Sequence, residues 1–212
     1  MRLFVGVRVS VATANALAAC AELLARRARD AFPESSVPGV APKWVAPASY
    51  HVTLKFLGAT RDDAVGAVRD ALAAACAGVA PFRFRTARLG AFASLERATV
   101  VWAGVEDGTA LGELAKRLDT RLAVLGFAPE TRAYHAHVTL ARLREPKPVR
   151  ELVLPVAEQS FAETRVDGVT LFDSTGKDYR ELARIAFRAP ESRTAVVAAD
   201  PGDDTDDGWP RR

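Results

Sequence analysis

The sequence is poor in the residues that staple or anchor proteins outside the cytoplasm. It has only two cysteines, Cys20 and Cys76, both in alanine-rich helical segments. That argues against a disulfide framework and suits small buried hydrophobes in a reducing cytoplasm. No apolar run approaches the roughly 18 residues that a membrane helix needs, so no membrane is expected as a partner. The opening MRLFVGVRV is too short and too alternating for a signal peptide and reads as a strand. Histidine is scarce as well, with three residues in 212. Charge of one sign is also lacking, the formal net charge being +3, but its distribution is uneven. From Pro190 onward there are six acidic residues and three arginines, which leaves 26 basic against 20 acidic residues in the body. A moderately basic body fits a polyanionic ligand, and equally a solvated arginine-rich surface.

What is present is a soluble globular composition, 49% hydrophobic and 26% charged. Periodicity predicts strands over 2–9, 50–57, 82–89, 99–105, 134–143, 165–174 and 179–187, with 82–89 carrying a basic face. Helices are predicted over 12–32, 63–77 and 109–125. Pro33 ends the first helix, and the proline-rich stretch 33–47 reads as a loop carrying Lys43 and Trp44. Gly58 is expected to stop the second strand, Gly78 and Gly126 to end helices, and Pro146 with Pro148 to break the strand before them. A turn is expected at Thr175-Gly176-Lys177-Asp178. Strands alternating with single helices indicate a mixed sheet protein. Residues 1–188 are expected to form one domain, and 189–212 an acidic, disordered tail.

Two stretches organise the rest: YHVTLKFLG, from Tyr50, and HVTLARL, from His137. Two of the three histidines begin the same four-residue word. In a strand, residues i and i+2 share a face, so His51 lies beside Thr53 and His137 beside Thr139, with Val52 and Leu54 turned the other way. One copy alone would read as a satisfied strand histidine; a matched second copy argues for a shared task. The copies lie 86 residues apart, each preceded by a strand and a helix, so each is expected in its own lobe with a cleft between. Two imidazoles facing across a cleft supply a general base and a general acid near neutral pH. Thr53 and Thr139 would donate hydrogen bonds to the non-bridging oxygens of a phosphate between them. No nucleophilic side chain is needed, and neither cofactor nor metal is implied.

These motifs, with the opening RLFVGV, KWVAPASYHVTLKFLG, GFAPETRAYHAHVTLAR and the late LFDSTGKDYREL, resemble the 2H phosphoesterases. Within that superfamily the chain is similar to the bacterial RNA 2′,3′-cyclic phosphodiesterases, also called 2′-5′ RNA ligase-like proteins. The resemblance implies an α+β fold of two pseudo-symmetric lobes, mainly antiparallel sheet with outer helices and a central cleft. It implies hydrolysis of a terminal 2′,3′-cyclic phosphate on RNA to a 2′-phosphate. His137 would activate water and His51 would protonate the departing 3′ oxygen. Thr53, Thr139 and Arg142 match phosphate-holding positions, and Phe56 an aromatic that stacks a terminal base. Lys55 and Tyr134 are further candidates for substrate contact. Ala133-Tyr134 and Ala136 depart from the family pattern around the second histidine. Trp44 is expected to pack, and Ser174 to end a strand near the cleft. The partners implied are RNA or nucleotide ends with a 2′,3′-cyclic phosphate, acted on by a monomer.

Two rival readings remain. His135 and His137 share a strand face and suggest a metal-dependent hydrolase, although two ligands are too few. A non-catalytic RNA-end binding module would keep the pocket without turnover.

Overall fold

The computed structural model describes residues 1–31, 41–176 and 178–187; the proposed acidic tail and Lys177 of the expected turn lie outside them. The chain runs β1 (Arg2–Arg8), α1 (Val11–Ala31), β2 (Lys43–Trp44), β3 (His51–Ala59), α2 (Val65–Cys76), β4 (Phe82–Phe92), β5 (Ala98–Glu106) and α3 (Thr109–Ala123). It continues with β6 (His137–Lys147), a short α4 (Arg150–Val153), β7 (Ser160–Val166), β8 (Gly168–Asp173) and β9 (Arg180–Ala186). The described strands form one sheet in the order β7-β4-β5-β6-β3-β1-β8-β9, with β2 added against β6. Every pairing among them is antiparallel.

The sheet is two four-stranded halves meeting at the two histidine strands. β3 and β6 touch through one residue pair, Val52 with Val138, and both valines are fully buried. The halves repeat. In the first, β1-α1-β3-α2 is followed later by β8 and β9; in the second, β5-α3-β6-α4 is flanked by β4 and β7. The first helix of each half crosses over. α1 follows β1 yet packs on β6 and β7, while α3 follows β5 yet packs on β3 and α2. Ser10 caps α1, accepting a hydrogen bond from the Thr13 amide at 3.1 Å. The Ser10 amide in turn donates to Thr164 Oγ1 on β7 at 3.0 Å, which pins the crossing. Leu17, Leu24, Leu72, Leu111, Leu114, Leu118 and Leu122 bring the apolar stripes of α1, α2 and α3 onto one continuous core.

Several expected boundaries differ, each for a local reason. β3 does not stop at Gly58: the pairing steps from Phe4–Phe56 to Leu3–Gly58, and Gly58 takes φ +70° in the resulting bulge. β6 likewise continues past Pro146. Its ladder jumps from Arg142–Val100 to Lys147–Ala98, so the proline sits where no amide needs to donate. The strand expected over 165–174 is two strands divided at Asp167, and α4 was not foreseen. Trp44 packs partly buried against the core, as expected.

Candidate active site

The seam between the halves fixes the positions of the repeated residues. With Val52 opposite Val138 in an antiparallel pair, His51 neighbours Thr139 and Thr53 neighbours His137, all four on the face away from the valines. The two histidines are then diagonal neighbours, a spacing of about 7–8 Å between strand positions. The ladder between β3 and β6 is a single pair, and a cleft lined by both His51 of β3 and Arg142 of β6 opens at this seam.

A second regularity follows the threonines. The pairing of β1 with β3 skips Leu54, and that of β5 with β6 skips Leu140, the equivalent residue in the second copy. Each bulge reverses the alternation. The burial patterns of the first seven residues of β3 and β6 are identical. After the bulge, Lys55 and Ala141 turn inward and Phe56 and Arg142 turn outward. Lys55 therefore does not face substrate, contrary to the sequence reading. It is buried, ion-paired with Asp119 on α3, and donates to the Ala128 carbonyl at 2.6 Å. Phe56, by contrast, is 65% exposed. It lines a cleft of about 370 Å³ with Arg2, Phe4, His51, Arg142, Ser174 and Tyr179.

Both imidazoles are oriented in the same way. His51 Nδ1 lies 2.7 Å from the Ser49 carbonyl, and His137 Nδ1 lies 2.7 Å from the His135 carbonyl. A carbonyl only accepts, so each Nδ1 carries the proton and each Nε2 is left for proton transfer. His51 Nε2 is 3.1 Å from the Thr53 hydroxyl. The rings are held by aromatic neighbours. His51 packs on Phe4 (4.8 Å between centroids) and edge-on to Tyr179 (5.2 Å), while His137 meets Phe92 edge-on (5.0 Å). Gly6 makes room beneath His51, since a Cβ there would come 2.8 Å from the Val52 carbonyl and 3.3 Å from the imidazole.

The surroundings keep both rings neutral. Burial lowers the His51 pKa to about 4, and the positive charges of Arg8 and Arg142 and neighbouring His137 add to the effect, against the Ser49 hydrogen bond. His137 is lowered for the same main reason, burial, with His135 and Arg142 contributing. Arg8 is itself fixed by Glu181, by the Ala48 carbonyl at 2.6 Å and by the Phe172 ring face at 5.0 Å. The site is thus electropositive and half-buried, a place suited to an anion.

Other expected residues fall as follows. Tyr134 is not free in the cleft; its hydroxyl donates to the Thr53 carbonyl at 3.1 Å, joining the two halves behind the threonine. Ser174 donates to the Arg2 carbonyl at 3.0 Å and lines the cleft. Asp173 supports that turn: hydrogen bonds from Thr175, with lesser ones from the Arg2 amide and Arg180, hold its pKa at about 2. Phe4, Arg8, Phe92, Trp102 and Tyr179 surround the histidines and were not singled out from sequence. Tyr179 lies within the DSTGKDYREL segment, the one signal that pointed near it. His135 and His137 have centroids 6.0 Å apart, and among the described residues no group of three His, Cys, Asp or Glu is arranged to hold a metal ion.

Comparison with known proteins identifies the family and the fold. Residues 12–178 match the 2′-5′ RNA ligase superfamily, and the chain belongs to that family. Among its relatives, the RNA 2′,3′-cyclic phosphodiesterase of Aeropyrum pernix is 33% identical over 65% of this chain and 76% of its own length. That of Aquifex aeolicus is 32% identical over 63% and 73%. The fold is that of a Thermus thermophilus protein (TM-score 0.69, 23% identity, 89% of this chain and 98% of that one). It is also that of Escherichia coli LigT crystallised with 3′-AMP (TM-score 0.57, 24% identity, 88% and 97%). The two-lobed α+β architecture expected from the motifs is therefore the one found.

Proposed function

We propose that this chain is an RNA 2′,3′-cyclic phosphodiesterase working by acid/base catalysis between two histidines. The observation that carries the reading is the shared orientation of His51 and His137 on one face of the seam. Each Nδ1 is tied to a carbonyl two residues back, leaving both Nε2 atoms for one phosphorus between them. Water on the His137 side attacks phosphorus and gives its proton to His137 Nε2. The bond to the 3′ oxygen breaks on the opposite side, and His51 Nε2–H protonates that oxygen, leaving a 2′-phosphate. Thr53, Thr139 and Arg142 hold the non-bridging oxygens, and Phe56 offers its exposed ring to the terminal base. His51 is neutral in the free enzyme. An anion bound between the cations restores its proton affinity, so the acid forms when substrate arrives.

The curated relatives carry this activity in their names, and their sequence identity supports assigning it here. Joining a cyclic phosphate to a 5′-hydroxyl as a 2′-5′ linkage uses the same groups in the same roles, with the hydroxyl in place of water. A monomer in a reducing cytoplasm suits the free, buried Cys20 and Cys76.

The test is product analysis on an RNA ending in a 2′,3′-cyclic phosphate, for the wild type, His51→Ala and His137→Ala, with and without chelator. Expected are a 2′-phosphate product, no effect of chelator, and a loss of at least about 10²-fold for either substitution. Binding without ring opening would select the binding-module reading. Activity abolished by chelator would select the metal-dependent one.

A further inference from the structure

The reaction as described leaves one cation of the His51 cleft without a task. Along β1, Leu3, Val5 and Val7 turn into the core, so Arg2, Phe4, Gly6 and Arg8 share the opposite face. Three of these four already have partners at the site. Gly6 lies under the His51 ring, Phe4 packs on that ring and stands 6.1 Å from Phe56 between centroids, and Arg8 is held by Glu181. Arg2 comes at the far end of the row and lines the same cleft, exposed. Among the described residues its guanidinium has neither an ion pair nor a hydrogen bond.

The backbone of Arg2, in contrast, is held from both sides. Its amide donates to Thr175 Oγ1 at 3.0 Å, and its carbonyl accepts from the Ser174 amide at 2.8 Å and the Ser174 hydroxyl at 3.0 Å. These bonds fix the point from which the guanidinium reaches out, and they give the Asp173-Ser174-Thr175 turn of the late sequence segment a task. Asp173 does not neutralise the side chain. Its carboxylate is taken by the Thr175 hydroxyl at 2.6 Å and by Arg180 at 3.1 Å. Among the described residues lining the cleft there is no carboxylate at all. A free guanidinium there meets an anion only when substrate brings one.

Distance decides which anion. Arg2 stands four residues from Gly6, roughly 14 Å along an antiparallel strand. The histidines hold their phosphorus at the Gly6 end, where Arg142 is close enough to lower both their pKa values. The interval between is floored by Phe4 and Phe56, the place of the one nucleoside that stacks there. A nucleoside with its 2′ and 3′ oxygens at the histidines has its 5′ oxygen at the other end of the ribose. In an RNA chain that oxygen carries the next phosphate and its negative charge; a lone nucleoside cyclic phosphate has none there. We infer that Arg2 binds this 5′ phosphodiester, and so selects a cyclic phosphate at the end of an RNA chain over that of a lone nucleoside; this rests on the phosphodiesterase reading above. Arg142 and Arg2, both without a partner among the described residues, then meet two phosphates one nucleotide apart.

The experiment compares kcat/KM for three substrates. They are adenosine 2′,3′-cyclic phosphate, the adenosine dinucleotide ending in the same cyclic phosphate, and that dinucleotide with its internal phosphodiester replaced by a neutral methylphosphonate. Each dinucleotide is read as a ratio to the mononucleoside, which is insensitive to the amount of active protein. The wild type should prefer the phosphodiester dinucleotide by about tenfold or more, the scale of one charged hydrogen bond. The methylphosphonate should lose most of that preference. Arg2→Gln should remove it, and Arg2→Lys should keep part of it. No preference in the wild type, an equal preference for phosphodiester and methylphosphonate, or a preference unchanged in Arg2→Gln overturns the Arg2 assignment alone. The first two of these use the unaltered protein and hold even where a variant folds poorly. No ring opening of any substrate by the wild type overturns the phosphodiesterase reading and this inference with it.

Discussion

At the residue scale, acidity is the lever. The free His51 titrates at about 4 because burial and three nearby positive or titrating groups oppose its proton. A bound phosphate anion reverses that balance. The profile of kcat/KM reports the free enzyme and that of kcat the bound one. The basic limb of kcat should therefore lie at higher pH than the basic limb of kcat/KM for a cyclic-phosphate substrate, and coincident limbs would refute the account. Arg142 depresses both histidines. Arg142→Gln should raise both imidazole pKa values, read by NMR titration of the ring protons. It should also raise KM by about tenfold or more through loss of a charged hydrogen bond to phosphate. The two histidines and their threonines were legible because the word HVTL occurs twice and histidine is rare. Phe4, Arg8 and Tyr179 were not, because their approach to His51 comes from β1 and from the segment beyond β8, contacts that only the folded register creates.

At the element scale, the bulges at Leu54 and Leu140 matter most. Alternation read from sequence assigns Lys55 to the face of His51 and Thr53. The bulge breaks that parity, sends Lys55 to Asp119 and returns Phe56 to the cleft. Strand type was legible from β-branched periodicity, but a one-residue insertion in the ladder leaves no mark in it. The continuation of β6 past Pro146 was hidden for a related reason, since a proline inside a strand is tolerated where the ladder skips it. Lys55→Met should cost about 1–3 kcal/mol in urea denaturation, because the Ala128 carbonyl loses its donor and the Asp119 carboxylate loses its ion-pair partner and is left with the Glu130 amide. It should leave KM for cyclic phosphate nearly unchanged. A large rise in KM with normal stability would return Lys55 to the substrate.

At the scale of the whole molecule, the halves share one core, and the repeated order of strand, helix and histidine strand was legible from spacing alone. The crossing of α1 and α3 was not, because a helix that leaves one half carries no sequence sign of which sheet it will cover. Since each half is roofed by a helix from the other, unfolding should be a single transition, with tryptophan fluorescence and far-ultraviolet circular dichroism superimposing in denaturant. Separate midpoints would show the halves to be independent. Acid should weaken the fold in a defined window. The unfolded chain binds a proton at His51 near the ordinary value of 6.5 and the folded chain only at about 4, so stability is greatest above 6.5 and falls as pH drops toward 4. His51→Gln should flatten that slope, measured by thermal midpoints across the range.

The interlocked helices also constrain how such a protein can change over generations. An alteration to the crossing helix of one half shifts the footing of the imidazole in the opposite half. Selection for a new nucleotide on either side would then be expected to fix compensating pairs split between the two repeats, and not clusters within a single repeat.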